Sequence, residues 1–191
     1  NIASVVTTSA IIGIDNNATN SSNTLISGNE NITSFSSHSL ITGKENSETS
    51  GSGNIVSGTE NTTINADNTF VSGQIHNINN ADESIVSGKS HTVTNVKRTS
   101  LLGFGHQAVN VIDGLIGGNS NTVTNFVNNT IVFGKSNSIS AGAFGPGHVT
   151  NNAVFGSNNI CQHKTHQNII SGSNNIVSVT NNSSIMGISH I

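Results

Sequence analysis

The chain has 191 residues, of which only 8% are charged and 4% are aromatic, with no Trp and no Tyr. Its formal net charge of −3 excludes a strongly basic nucleic-acid-binding protein and gives no general attraction to membranes. So few apolar residues normally predict disorder, and folding therefore requires Ile, Val and Leu to be placed with unusual regularity. Because the chain has one cysteine, Cys161, an intrachain disulfide framework is excluded.

Short apolar runs that end in glycine recur from the start of the chain. In order they read SAIIG, TLISG, SLITG, NIVSG, TFVSG and SIVSG. The first eight of these glycines follow one another at intervals of 15 residues, and the later intervals are 16, 22, 16 and 15 residues. The twelve positions are Gly13, Gly28, Gly43, Gly58, Gly73, Gly88, Gly103, Gly118, Gly134, Gly156, Gly172 and Gly187.

Aligning the repeats on their glycines gives columns of similar residues. The residue two before each glycine is aliphatic (Ile26, for example), and the residue three before it is usually apolar (Leu25). Five residues after the glycine comes a smaller apolar set that includes Ala18, Ile78, Val93, Ala108, Val123, Ile139, Cys161 and Val177. Three residues after it lies a polar column, predicted to form a structural ladder: Asn16, Asn31, Asn46, Asn61, His76, His91, His106, Asn121, Asn137, Asn159, Asn175 and His190.

These patterns predict an all-β fold. Short β-branched runs between Gly, Asn and Ser are typical of strands separated by turns, and a 15-residue unit with no helical period cannot hold a helix pair. We expect a parallel β-solenoid of about twelve coils, each with two short strands and two tight turns. Residues 1–191 are interpreted as a single repeat-built domain, cut from a longer protein, with an insertion loop at about 140–152.

The two apolar columns before the glycine predict an oligomer. Neighbouring residues of a strand point to opposite faces, so one column lines the interior and the other lies outside. Repeated over the coils, the outer column makes an apolar stripe larger than soluble monomers usually expose. We expect copies of the chain to bury it against one another with cyclic symmetry.

The repeats SAIIG with GIDNNA, and the turn GFGHQA, resemble the head repeats of YadA-like trimeric autotransporter adhesins. The similarity extends over the whole chain, although Ser often precedes the glycine and Asn or His replaces the small residue of that family. The resemblance implies a left-handed parallel β-roll, a homotrimer, and display on the bacterial surface through a stalk and an outer-membrane anchor. It also implies adhesion to host matrix proteins, cell-surface receptors or other cells. We expect no enzyme activity, no cofactor, no nucleic-acid partner and no membrane insertion by this segment.

Three histidines share the polar column in successive repeats. His76, His91 and His106 are interpreted as substitutes for Asn in the ladder, with stacked rings that bind an ion or sense pH as the alternative. A second group, Cys161 with His163 and His166, has the residue types of a metal site. Since Cys161 falls in an apolar column, a buried thiol is the preferred interpretation, and no metal site is predicted.

Four acids lie two residues after successive glycines: Asp15, Glu30, Glu45 and Glu60. They are interpreted as a solvated acidic edge. A glycosidase pair is the alternative, but four equal acids lack a differentiated acid and nucleophile.

Ligand-binding candidates are few. The insertion contributes Phe144, Pro146 and His148, because insertions in solenoids project as loops and often carry binding. Lys97 and Arg98 form a small basic spot at a turn.

Two other functions remain open. One is a phage-tailspike-like solenoid that binds or degrades polysaccharide. The other is ice binding through Thr ladders, for which Thr92 with Thr94 and Thr122 with Thr124 give the pattern only in isolated repeats.

Overall fold

Parallel β-strands stack throughout the chain in the computed structural model, which describes residues 1–141, 149–162, 165–178 and 181–189. The described residues are all-β, contain no helix, and form a parallel β-solenoid of about twelve turns. None of them therefore belongs to a helix long and apolar enough to cross a membrane. The chain divides into two compact units, Asn1–Val93 and Thr94–Ile191.

The strands of the first unit alternate between segments of five residues and segments of three residues, except that β11 has six. They are β1 (Ile2–Ser4), β2 (Ala10–Ile14), β3 (Asn17–Thr19), β4 (Leu25–Asn29), β5 (Ile32–Ser34), β6 (Leu40–Lys44), β7 (Ser47–Thr49), β8 (Ile55–Thr59), β9 (Thr62–Ile64), β10 (Phe70–Gln74), β11 (Asn77–Asp82) and β12 (Ile85–Lys89).

The second unit begins within β13 (Thr92–Lys97), and two of its strands are long. The remaining strands are β14 (Ser100–Phe104), β15 (Gln107–Asn119), β16 (Thr122–Lys135), β17 (Ser138–Ser140), β18 (Val149–Thr150), β19 (Ala153–Ser157), β20 (Ile160–Gln162), β21 (Ile169–Ser173), β22 (Ile176–Ser178) and β23 (Ser184–Ile188).

Each regular coil has three corners, one more than the sequence predicted. At each corner a residue adopts the left-handed conformation, with φ between 47° and 65° for the non-glycine residues; Glu30, Phe35 and His38 are the corners of one coil. Between the second and third corners the chain pairs with the neighbouring coil through a single-residue bridge, such as Ser37 to Ser52. Gly and Asn tolerate this conformation best, and the chain is rich in both.

The interior is a stack of identical columns. In the first unit β4 pairs with β6 so that Ile26 faces Ile41, one repeat further on. Both side chains are buried, as is the smaller column five residues after each glycine. The column three residues before the glycine lies outside: Leu25 and Ile55 are 41% and 40% exposed. The predicted division into an inner and an outer apolar column is therefore confirmed.

A close backbone contact between neighbouring coils requires glycine at the repeat position. A Cβ atom built on Gly28 would overlap the carbonyl oxygen of Gly43, and the same overlap recurs at the repeat glycines in both units. The conformation also demands glycine, since φ at Gly28 is 127°. The close approach places the Gly43 carbonyl oxygen 3.0 Å from Nδ2 of Asn31, which donates to it.

The asparagine column links successive coils. Oδ1 of Asn31 accepts from both the backbone N–H and the side-chain amide of Asn46, each at 3.1 Å. The same pair of bonds joins Asn121 to Asn137 and Asn137 to Asn159 in the second unit. Buried backbone groups at the turn are thereby satisfied. His190 lies outside the described residues.

We expect Gly103→Ala to destabilise the protein by about 3 kcal/mol or more, because its Cβ would overlap the carbonyl oxygen of Gly118 at a φ of 126°. Gly105→Ser is the matched control: its φ is 63°, Ser120 occupies the equivalent corner, and the added Cβ meets only ordinary contacts. The control should cost only about 1–2 kcal/mol, the ordinary cost of a side chain in the left-handed conformation without a steric overlap. Urea unfolding of both variants measures the difference, and equal effects would contradict the steric explanation.

Candidate interaction surfaces

The ring nitrogens of the ladder histidines form hydrogen bonds like those of the asparagine side-chain amides. Nδ1 of His76 accepts from the backbone N–H of His91 at 3.3 Å, and Nε2 of His76 lies 3.1 Å from the carbonyl oxygen of Ser72. In the second unit, Nδ1 of His106 accepts from the N–H of Asn121 at 3.1 Å. A nitrogen that accepts carries no proton, so both rings are neutral, with Nε2 as the donor.

This bonding bears on the ion-binding alternative. The rings of His76 and His91 stack, with centroids 4.9 Å apart and planes 3° from parallel. Since both nitrogens of His76 and of His106 are in hydrogen bonds, binding an ion there would require breaking the ladder. Burial lowers the pKa of His76 and His106, and protonation of Nδ1 would convert this acceptor into a donor that faces a backbone N–H.

Cys161 points into the solenoid interior. Its Sγ lies 3.0 Å from Oγ1 of Thr165, and burial raises the pKa of the thiol to about 11. Nδ1 of His166 lies 2.7 Å from Oγ1 of Thr150, whereas His163 lies outside the described residues. Across the part of the chain that the structure describes, no group of three or more His, Cys, Asp or Glu residues could hold a metal ion.

The acidic column occupies the first corner of successive coils in the first unit. Asp15, Glu30 and Glu45 border a shallow cleft of about 460 Å³ that also contains Ile2 and Ile32. Nζ of Lys44 lies 2.8 Å from Oε1 of Glu45, and this hydrogen bond raises the pKa of Lys44. Exposed pairs of this kind contribute little stability.

The basic spot at the turn is partly neutralised. Arg98 binds the carboxylate of Asp113, one repeat further on, through two hydrogen bonds of 2.5 and 3.0 Å. This contact holds the pKa of Asp113 below its usual value. Lys97 lies beside it, half-buried. A partner that binds Arg98 would have to compete with Asp113.

The insertion candidates Phe144, Pro146 and His148 lie outside the described residues. The residues on either side, Ala141 and Val149, are buried, and Val149 pairs in register with Val127. The coil therefore resumes its register after the insertion.

The outer face of the second unit carries an aromatic pair that sequence reasoning missed. Phe133 and Phe155 lie in the column just before the glycine, which is mostly Ser or Thr in the first unit. Their rings stack with centroids 6.4 Å apart, beside the exposed Ile131. The signal was present, since both residues precede a repeat glycine.

Glu48 was also missed, and it is completely buried in the column of small interior residues. Ser39 Oγ and Asn54 Nδ2 donate to its Oε1 at 3.0 and 2.6 Å. Its Oε2 is buried with no hydrogen-bond partner among the described residues. Burial raises the pKa of this carboxyl, because a charge is costly in an interior with no cation beside it.

The chain matches no protein-family model and no protein of curated function. Any function must therefore be inferred from the fold and from the chemistry of these surfaces.

Loss of stability on acidification should depend on the ladder histidines. Because the folded-state pKa of His76 lies below the value of 6.5 for an exposed ring, the neutral ring contributes its full stability above about pH 6.5. That stability is lost as the pH falls through the lowered pKa, at about 1.4 kcal/mol for each unit of pKa difference. His76→Asn combined with His91→Asn should reduce this acid dependence. Unfolding midpoints between pH 7.5 and 4.5 measure the effect.

His38→Asn is the control for that experiment, because His38 lies at an exposed corner of the same unit. It should leave the pH dependence unchanged. The ladder assignment would be wrong if the double variant lost as much stability on acidification as wild type.

Glu48→Gln should act in the opposite pH range. The raised folded-state pKa means that the contribution of Glu48 to stability is complete below about pH 4.5, its ordinary value, and declines as the pH rises through the raised value. The variant should be more stable than wild type at pH 8, by about 1–3 kcal/mol for an uncompensated buried group. Chemical unfolding at pH 4.5 and 8 tests this, with the exposed Glu45→Gln as control. A stability difference that does not change with pH would contradict the explanation.

Proposed function

We propose that the chain is the receptor-binding head of a homotrimeric bacterial surface adhesin, which binds host matrix proteins, receptors or other cells through many shallow contacts. The observation that supports it best is the outer apolar column. In the first unit Leu25, Ile55, Phe70 and Ile85 are each about two fifths exposed, and consecutive members pair in register on neighbouring strands.

Association between copies of the chain would bury such a column and lower its free energy. Burying apolar surface stabilises a complex by about 25 cal/mol per Å², and a repeating column offers the same contact in every coil. In the second unit the apolar surface is wider, because Phe133 and Phe155, each 38% exposed, add two stacked rings in the column just before the glycine. Cyclic association lets each copy cover the column of its neighbour. The number three, the left-handed coil and the cell-surface location come from the resemblance to YadA-like heads.

Adhesion suits the remaining surface. The corners and outward positions are mostly Asn, Ser, Thr and Glu, which offer adaptable hydrogen bonds rather than a deep pocket. A trimer presents each such surface three times, and simultaneous engagement raises the overall affinity without any new contact.

Light scattering of the purified chain should give three times the mass of one chain. Phe70→Lys places a charge in the outer column and should produce a folded monomer, since the side chain lies outside the interior and is 41% exposed in the single chain. Gln74→Lys, on the same strand and also exposed, is the matched control and should remain trimeric. A wild-type monomer at high concentration would overturn the proposal.

Binding to immobilised collagen, fibronectin and laminin, and to cultured cells, tests the adhesive role. The trimer should be retained on at least one of these surfaces, and the Phe70→Lys monomer should bind at least about tenfold more weakly through loss of avidity. A reducing-sugar assay on capsular and matrix glycans separates this role from that of a polysaccharide-degrading tailspike: release of sugar ends would favour the tailspike.

A further inference from the structure

One coil of the second unit carries an extra residue at its second corner. Strands β15 and β16 pair Val109 with Thr124 and then Val111 with Val127, so Asn110 faces two residues, Asn125 and Phe126. This is a β-bulge, a feature found often beside functional sites because it redirects a side chain. The interior columns keep their register, and the additional residue is accommodated outside.

The extra residue places Phe126 in the left-handed conformation that this corner has in the regular coils. Asn125 and Phe126 are consecutive residues with φ of 65° and 61°, and a bulky residue in this region is a genuine outlier. The Phe126 ring is 61% exposed, so burial of the ring does not compensate for the conformation. Phe35 has a similar φ and a similar exposure at the same corner of a regular coil, so Phe126 is distinguished by the extra residue beside it and not by its conformation.

A cleft of about 200 Å³ lies against this ring, lined by Phe126, Ile112, Asn95, Asn110 and Asn128. The side-chain amide of Asn95 donates to Oδ1 of Asn110 at 3.1 Å, which orients both amides. The cleft is smaller than the pockets of about 300–1,000 Å³ that hold drug-sized ligands. It suits a ligand of one ring.

The lining defines the chemistry of that ligand. None of the five residues is ionisable, so a charged ligand would find no counter-charge in the cleft. A wholly apolar ligand would cover amides without bonding them, which is costly. A pyranose ring satisfies both requirements: its C–H face packs on an aromatic ring, and its hydroxyls both donate to and accept from amides.

We propose that Phe126, with Asn95, Asn110 and Asn128, forms a binding site for a neutral pyranose sugar. The proposal rests on the proposed function in that it names a ligand class for the adhesive surface. Each copy would present one such site, so that individual contacts are weak and a glycan-coated surface is bound through several of them at once.

Saturation-transfer NMR with methyl β-glucopyranoside, methyl β-galactopyranoside and N-acetylglucosamine tests the site on the whole chain, with sorbitol as an acyclic polyol. At least one pyranose should bind, and sorbitol should not. Phe126→Asn accepts the same backbone conformation and should weaken binding about tenfold, as expected for loss of an aromatic contact. Deleting Phe126, which restores a 15-residue repeat, should abolish the signal while leaving the unfolding midpoint close to that of wild type.

Phe35→Asn is the matched control. Phe35 lies at the same corner of a regular coil, with a φ of 54° and 62% exposure, and its replacement should leave sugar binding unchanged. Absence of binding by all three pyranoses would overturn the proposal, as would equal effects of the Phe126 and Phe35 variants. Light scattering of the same samples keeps the two proposals separate. A monomer that binds sugar would support the sugar site and contradict the trimeric head. A trimer that binds no sugar would support the trimeric head and contradict the sugar site.

Discussion

The contact between the repeat glycine and the ladder asparagine is the constraint on which the rest of each unit depends. Without a Cβ atom at Gly28, the Gly43 carbonyl oxygen approaches closely enough to accept from Asn31. The same asparagine fixes the turn of the next coil through Oδ1. Since the coils with a ladder asparagine repeat this contact, the position of each of their strands follows from that of its neighbour, and the small apolar interior needs only to fill the remaining space.

Much of this could be predicted from the sequence because it is periodic. A column visible twelve times, such as that of Ile26 or Asn31, assigns inside and outside by alternation. Features that occur once, or that recur with different residues, were not predictable in this way. The third corner has a mixed composition, Glu48 breaks an otherwise uncharged column, and the bulge at Phe126 differs from its neighbours by one residue. A repeat pattern describes the average unit and hides such exceptions. Each exception could be located only once the register of the strands was known.

Two of the buried polar groups set opposite limits on the first unit. His76 needs its neutral form to accept from the next coil, which favours higher pH, whereas Glu48 is buried without a cation and favours lower pH. Acidification should therefore weaken that unit through His76, and raising the pH should weaken it through Glu48. Ladder asparagines such as Asn46 provide the same hydrogen bonds with no titrating group. The choice of histidine at two successive rungs thus adds acid sensitivity that the fold itself does not require.

Repetition also explains where function is expected in such a molecule. Interior columns and the glycine contact tolerate few residue types, because a change there affects the coil above and the coil below. The corners need only the left-handed conformation, and they hold residues as different as Glu30, Phe35 and Asn110. An extra residue at a corner leaves the register of the interior unchanged, as at Phe126. New contacts can therefore arise at the corners with little cost to folding, and a recognition site built there is the form of specialisation that this architecture permits most readily.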